Sequence, residues 1–315
     1  MKIEMPGAEG FLTEAEGIPL KVNRFEVFEV PKFIPTGQGA HMWGLLEKTN
    51  RTTLGVVREI STWSGIDARD IGYAGLKDKK GRTLQWISSP GELPPAGRGF
   101  RISVTRNSGR KIKRGNLLGN WFRVGVVADL PRLRPVLKEL QSRGIPNFFG
   151  PQRFSTNNHE IGELLVKGKK KEARKLMEAS KIPFTRRHYV LLEDAYCSYL
   201  FNKVLSERLG ATLPGDVLSR FGPAGPIFGK KLGLASGAAG EIEMRILSST
   251  GLALKDFPGG GKRRPFNVPL KGLRYSQGTL RFFLPKGSYA TVVLREIAKE
   301  NAVTWLPLTS SSSCV

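Results

Sequence analysis

Residues 72–86, GYAGLKDKKGRTLQW, set one carboxylate, Asp78, among Lys77, Lys79 and Lys80 at a turn between two apolar, strand-like runs. A positive surround favours the ionised form of an acid and lowers its pKa. A carboxylate held ionised is suited to act as a nucleophile or a base. Asp is also a favoured turn residue, so taken alone the same pattern describes a solvent-facing hairpin. A second segment, RGIPNFFGPQRFS at 143–155, places Phe148 and Phe149 between Asn147 and Gly150, with Arg153 close behind. Neighbours in an extended chain face opposite sides, so one ring can enter the core while the other stays exposed. An exposed aromatic beside an amide and a guanidinium is a platform for a nucleobase. Two core phenylalanines and a surface arginine fit the same letters. A third segment, LPKGSYATVVLRE at 284–296, breaks a strand from a helix at Gly287, with Ser288 as the expected N-cap. Basic loops at 110–116 and 262–264 read as phosphate contacts or as solvated charge.

The composition decides between some of these readings. The 315 residues carry 50 Lys+Arg against 27 Asp+Glu, a formal net charge of +23. Polyanions are the commonest partners of such a surplus, because cations that meet phosphates release condensed counterions. The charge therefore favours phosphate contacts in the basic loops. Hydrophobic residues make up 40% and aromatic residues 9%, which is globular rather than disordered. No apolar run reaches the ~18 residues of a membrane span, so no membrane partner is expected. The start, MKIEMPGAEG, lacks the apolar stretch of a signal peptide, and a cytoplasmic location is expected. Two cysteines, Cys197 and Cys314, exclude a disulfide scaffold and fit a reducing compartment. His41, His159, His188 and those cysteines have no zinc-ligand spacing, so no metal is expected.

The elements that must position these residues follow from periodicity. Residues 24–30 alternate as a strand, with Phe25, Val27 and Val30 opposite Glu26 and Glu29. Residues 40–48 form a second strand. Thr52 or Thr53 caps a helix to about Ser64, with Leu54, Val57, Ile60 and Trp63 near one face and Gly65 ending it. FRISVTR and WFRVGVV are strands, and PRLRPVLKELQSRG is a helix. Residues 159–181 read as a very basic helical stretch. Residues 193–209 read as an amphipathic helix with Leu200, Val204, Leu205 and Leu209 inward. Residues 210–262, rich in Gly, Pro and Ala, suggest short strands and loops. LRFFLP is a strand, SYATVVLREIAKEN a final helix, and TSSSSCV a disordered tail. The expectation is an α+β domain interrupted by a middle domain of about a hundred residues.

In this order the motifs resemble the TruD family of pseudouridine synthases. The family's central signature is similar to GYAGLKDK…TxQW, matched by Gly72 to Lys79 with Thr83, Gln85 and Trp86. PNFFGPQRF at 146–154, LPKGSYATVVLRE at 284–296 and LKVNRFEVFEV from Leu20 match three further signatures. KIKRGNLLGNWF and RRPFNVP also fit. The resemblance runs from about residue 20 to 296. It implies isomerisation of uridine to pseudouridine in tRNA, typically at uridine 13 of the D arm, by a monomer without cofactor or metal. Carried over, Asp78 is the catalytic aspartate and Lys21 its basic partner. Phe149 stacks on the target base, Asn147 is the polar residue beside it, and Tyr289, in place of a Phe, lines the same pocket. Lys77, Lys79 and Arg153 join the substrate-binding set. The implied fold is α+β, a permuted pseudouridine-synthase core with a mixed, mainly antiparallel sheet flanked by helices, plus an inserted α+β TRUD-type domain. The implied boundaries are 1–158 and 268–315 for the catalytic core and 159–267 for the insertion. Residues 21–29 are two positions shorter than the family's segment and lack its Pro-Glu-Asp. Ser155 stands for a Gly and Phe148 for a Tyr.

Two other classes fit the charge. One is a catalytically inactive RNA-binding or chaperone protein on the same fold, against which the intact Asp78, Asn147 and Phe149 speak. The other is a nucleic-acid hydrolase, which more often clusters carboxylates or histidines for metals or acid–base work.

Overall fold

The computed structural model describes residues 1–77 and 81–306. Asp78, Lys79, Lys80 and the tail with Cys314 lie outside the described residues. The chain begins its regular structure with β1 (Leu20–Pro31), β2 (His41–Thr49), α1 (Thr53–Ser64), β3 (Gly72–Tyr73), β4 (Arg82–Ser89), β5 (Ala96–Gly97), β6 (Phe100–Ser108) and β7 (Leu117–Val127). There follow α2 (Leu130–Arg143), β8 (Ile145–Pro146), α3 (Pro151–Phe154), α4 (Asn158–Val166), α5 (Lys170–Ala179) and α6 (Arg186–Ser206). The remainder is β9 (Leu218–Ser219), β10 (Gly222–Ile227), α7 (Gly237–Ser248), β11 (Lys262–Pro265), β12 (Asn267–Val268), β13 (Lys271–Ser276), β14 (Thr279–Pro285), α8 (Ala290–Ala298) and β15 (Val303–Trp305). Two compact units result. One comprises Leu20–Ala128, Leu270–Gly287 and the chain from Thr304; the other comprises Met1–Pro19, Asp129–Pro269 and Ser288–Val303.

The first unit is built on a mixed sheet of order β13-β14-β7-β1-β4-β2-β6-β5, with β3 on β4 and β15 on β1. β1 and β4 run parallel, whereas β7 lies antiparallel to both β1 and β14, and β2 to both β4 and β6. α1 covers one patch of this sheet. Thr52 caps it by accepting from Gly55 N–H at 3.1 Å, and Gly65 ends it at φ 70°, a left-handed turn that glycine adopts without strain. The buried face is Thr53, Val56, Val57 and Ile60, packed on Leu46, Ile87 and Ile102. Trp63, expected on that face, is 55% exposed because the helix is turned toward Thr53 and Val56. The strand reading of 24–30 holds, but Glu26 and Glu29 are buried rather than solvent-facing. Arg82 meets Glu26 at 3.3 Å and Lys77 meets Glu29 at 2.7 Å, so each carboxylate is buried with a cation.

In the second unit α2 starts at Asp129, whose side chain accepts from Arg132 N–H, and buries Leu133, Val136 and Leu140. The basic stretch 159–181 is two helices rather than one, α4 and α5, broken where Gly168 takes φ 76°. Ile161 and Leu165 of α4, Ala173 and Met177 of α5 and Leu192 of α6 form its core. α7 replaces part of the expected loop region. Its glycines hide it from a periodicity reading, yet Ala239, Glu243, Ile246 and Leu247 are buried at helical spacing. The last helix, α8, is capped at Tyr289 rather than Ser288, whose hydroxyl is used elsewhere.

β14 and β7 pack aromatic rings against each other. Phe282 is fully buried and stacks on Phe122 with centroids 5.4 Å apart. Phe282→Ala should cost about 3–5 kcal/mol, read as a lower denaturation midpoint at unchanged slope.

Candidate active site

The residues around position 78 are pinned one by one in the sheet unit. Gly72 and Tyr73 pair with Ser88 and Ile87. Ala74 O accepts from Gly115 N–H at 2.8 Å, and Gly75 O from Gln85 Nε2 at 3.0 Å. Gln85, fully buried, also accepts from Thr53 Oγ1 at 2.9 Å, and Thr53 Oγ1 accepts from Lys77 N–H at 3.0 Å. On the far side Gly81 N–H donates to Asn50 Oδ1 while Asn50 N–H donates to Gly81 O. Gly81 sits at φ 97°, where a side chain is strained. The residues on both sides of 78–80 are therefore anchored to the sheet and to the start of α1. The Lys77 ammonium is buried against Glu29 at 2.7 Å and Asn120 Oδ1 at 2.8 Å. Burial pushes the Glu29 carboxyl above its usual range, and Lys77 pulls it back. Lys48, also buried, donates to Arg51 O at 2.6 Å. Lys21 is exposed on β1, in register with Val127, and takes no part in this network among the described residues.

The second cluster stands in the other unit. Phe148 is fully buried while Phe149 is half-buried. Asn202 of α6 holds the Phe149 backbone from both sides, accepting from its N–H at 2.8 Å and donating to its carbonyl at 3.1 Å. Phe201 meets the Phe149 ring edge-on at 5.6 Å, and Tyr289, half-buried, lies 6.2 Å from it. The Arg264 guanidinium sits 4.1 Å from the Phe149 centroid. Burial pushes that guanidinium down to about 10, still protonated at neutral pH. Asn147 is 3% exposed and wholly engaged. Its Oδ1 accepts from Arg264 Nη2 at 2.7 Å and from Ser288 Oγ at 3.1 Å, and its Nδ2 donates to Pro265 O at 3.0 Å. Arg153 is tied to Ser198 Oγ at 3.0 Å and Asp194 at 3.4 Å, with its guanidinium 5.7 Å from the Phe149 centroid. The arrangement is an aromatic wall, Phe149 and Tyr289, backed by a buried cation. It can stack a flat ring.

The structure thus brings Asn147, Phe149, Arg153 and Tyr289 together. Sequence reading missed Arg264, Ser288 and Asn202 as supports of that wall, and Glu29, Gln85 and Thr53 as anchors of the residues flanking Asp78. Gln85 was visible only as a letter of TLQW. Arg263 and Arg264, read as phosphate contacts, turn inward instead: Arg263 pairs with the buried Glu243, and Arg264 with Asn147.

The fold has a solved counterpart. The crystal structure of the Methanosarcina mazei protein assigned to tRNA pseudouridine synthase D (TruD) aligns over 95% of this chain and 99% of its own, with a TM-score of 0.70 at 22% identity. This places the architecture among TruD-type folds. A family model, tRNA pseudouridine synthase D (TruD), matches residues 6–189 and 217–297. The chain is 36% identical to the tRNA pseudouridine synthase D of Anaeromyxobacter dehalogenans (strain 2CP-C), covering 95% of this chain and 96% of the relative. It is 33% identical to a tRNA pseudouridine synthase D of Thermus thermophilus, covering 96% and 92%. The chain belongs to the tRNA pseudouridine synthase D (TruD) family.

The Lys77–Glu29 pair yields a pH-dependent prediction. With the Glu29 pKa held above its unfolded value, the folded chain binds more protons than the unfolded chain across the carboxylate range. The stability from this group is therefore present at low pH and lost as pH rises through that range. Lys77→Met removes the cation that opposes the shift. It should cost about 3–5 kcal/mol at neutral pH and less near pH 5, measured by denaturant titration at both, and Glu29→Gln added to it should restore most of the loss.

Proposed function

We propose that this chain is a tRNA pseudouridine synthase that isomerises a uridine, at position 13 of the D arm, with Asp78 as the catalytic carboxylate. The single observation that carries the reading is the Phe149–Tyr289 wall, built from two of the family's motifs and fixed from behind by Asn147 and Arg264. A base must leave its stack before its glycosidic bond can be reached, and the cost falls when an aromatic receives it. Phe149 receives the uracil and Tyr289 flanks it. Asn147, buried and engaged by three partners, acts by holding Arg264 and Ser288 in place. Arg153 and Lys79 face the RNA.

Asp78 promotes cleavage of N1–C1′, by attack at C1′, by attack at C6 or by removing a sugar proton. The uracil then turns and rejoins C1′ through C5. C5 loses its proton and N1 gains one, so atoms and oxidation level balance within the nucleotide and no cofactor or metal is needed. Lys21 keeps Asp78 ionised. The enzyme works as a monomer in the cytoplasm. Residues 1–158 and 268–315 carry the catalytic core, and 159–267 form the inserted domain.

Asp78→Asn should abolish pseudouridine formation on unmodified tRNA while tRNA binding persists; retained activity overturns the assignment. Phe149→Ala should lose about 1–3 kcal/mol of stacking, roughly 5- to 150-fold in kcat/KM, with the fold intact by circular dichroism. Pseudouridine mapping in tRNA from cells with and without the gene tests the position.

A further inference from the structure

Residues 167–187 carry nine Lys and Arg against two carboxylates, Glu172 and Glu178. Two of the cations are neutralised, Lys167 by Glu163 at 2.7 Å and Lys169 by Glu172 at 3.9 Å. The other basic side chains make no ion pair among the described residues, and all are exposed. They are not scattered. α5 turns Ala173 and Met177 into the core it shares with α4 and α6. Lys170, Lys171, Arg174 and Lys175 occupy about 140° of arc on its outer side. Glu178 lies in that arc a turn beyond Arg174 and has no cation within ion-pair distance among the described residues. Arg186 and Arg187 add two exposed cations in the first turn of α6, which holds no acid.

A helix that needed charge only for solubility would intersperse both signs. Four cations against one carboxylate, Glu178, on an exposed helix face suit a repeating line of phosphates better than a small anion. A membrane surface is disfavoured for α5, because its apolar face, Ala173 and Met177, is already buried. The surface is also coupled to the aromatic wall within one unit. α6 contributes Leu192 to the hairpin core and Ser198, Phe201 and Asn202 to the wall. Leu192 and Ser198 are about 9 Å apart along that helix, a few base pairs of a stem.

We propose that the outer face of α5, together with Arg186 and Arg187, is a docking surface for the phosphate backbone of a base-paired RNA stem beside the uridine held at the Phe149 wall. This rests on the function proposed above, but its test reads binding and does not need turnover. In the full chain, Lys170→Gln, Lys171→Gln, Arg174→Gln and Lys175→Gln are combined; all four positions are exposed, and thermal melting checks the fold. Binding of unmodified tRNA should weaken at least tenfold near 0.15 M salt. The slope of log Kd against log salt should fall by about 2–4, close to one for each phosphate no longer neutralised. In turnover, KM should rise while kcat at saturating tRNA stays the same. A stem-loop with the target uridine but without the adjoining stem should bind wild type and variant equally. Unchanged tRNA affinity and salt slope would overturn the proposal and leave a solvated face. Unchanged tRNA affinity together with weaker binding to phosphatidylserine vesicles would overturn it in favour of a lipid surface. If the wild type binds tRNA but forms no pseudouridine, the proposed activity fails while the docking result stands.

Discussion

Asn147 presents a single buried amide to three partners that the chain delivers from far apart: Arg264, Pro265 and Ser288. A desolvated amide left unpaired costs about 1–3 kcal/mol, so the segments after β8, at the end of β11 and before α8 must arrive together. Once they do, Arg264 is locked under Phe149 and Ser288 cannot cap α8. The position of Tyr289 follows, since it is the next residue and the helix starts from it. Asn202 repeats the device on the Phe149 backbone, standing in for the strand partner that this stretch of chain lacks.

The sheet unit places its loop by a different means. A neutral ladder runs from Gly75 through Gln85 and Thr53 to Lys77, and below it a charged pair, Lys77–Glu29, is buried outright. A buried pair returns little net stability once desolvation is counted. Its value here is directional, because an ammonium with one carboxylate and one amide oxygen around it has a single place to be. The neutral ladder fixes the backbone, and the ionic pair fixes which way the lysine before position 78 points.

Much of this was legible from the chain alone, and for stated reasons. The cap, read as Thr52 or Thr53, and the stop at Gly65 are local signals, and α1 runs Thr53–Ser64 from a Thr52 cap to Gly65. That one of the two adjacent rings would enter the core was legible, and Phe148 is the one that does. What escaped was set by partners distant in sequence. Glu26 and Glu29 look like the polar side of a strand until Arg82 and Lys77 cover them. Arg264 looks like a surface cation until Asn147 draws it inward. Ser288 has the letter of an N-cap, but a buried amide oxygen competes for its hydroxyl. α7 failed for another reason: Gly237 and Gly240 lower helix propensity locally, and burial of Ile246 and Leu247 overrides it.

The hairpin of α4 and α5 carries a thermodynamic consequence. Its core is small, five buried side chains including Leu192 of α6. Above that core a row of ammonium and guanidinium groups, outnumbering Glu172 and Glu178, repels itself, which weakens the compact state. A small core under a charge surplus is the kind of unit that exchanges amide protons early. Any polyanion seated on α5 relieves the repulsion and binds only the closed form. It would raise the melting temperature by mass action, and local order in this part of the molecule would be a property of the complex as much as of the polypeptide.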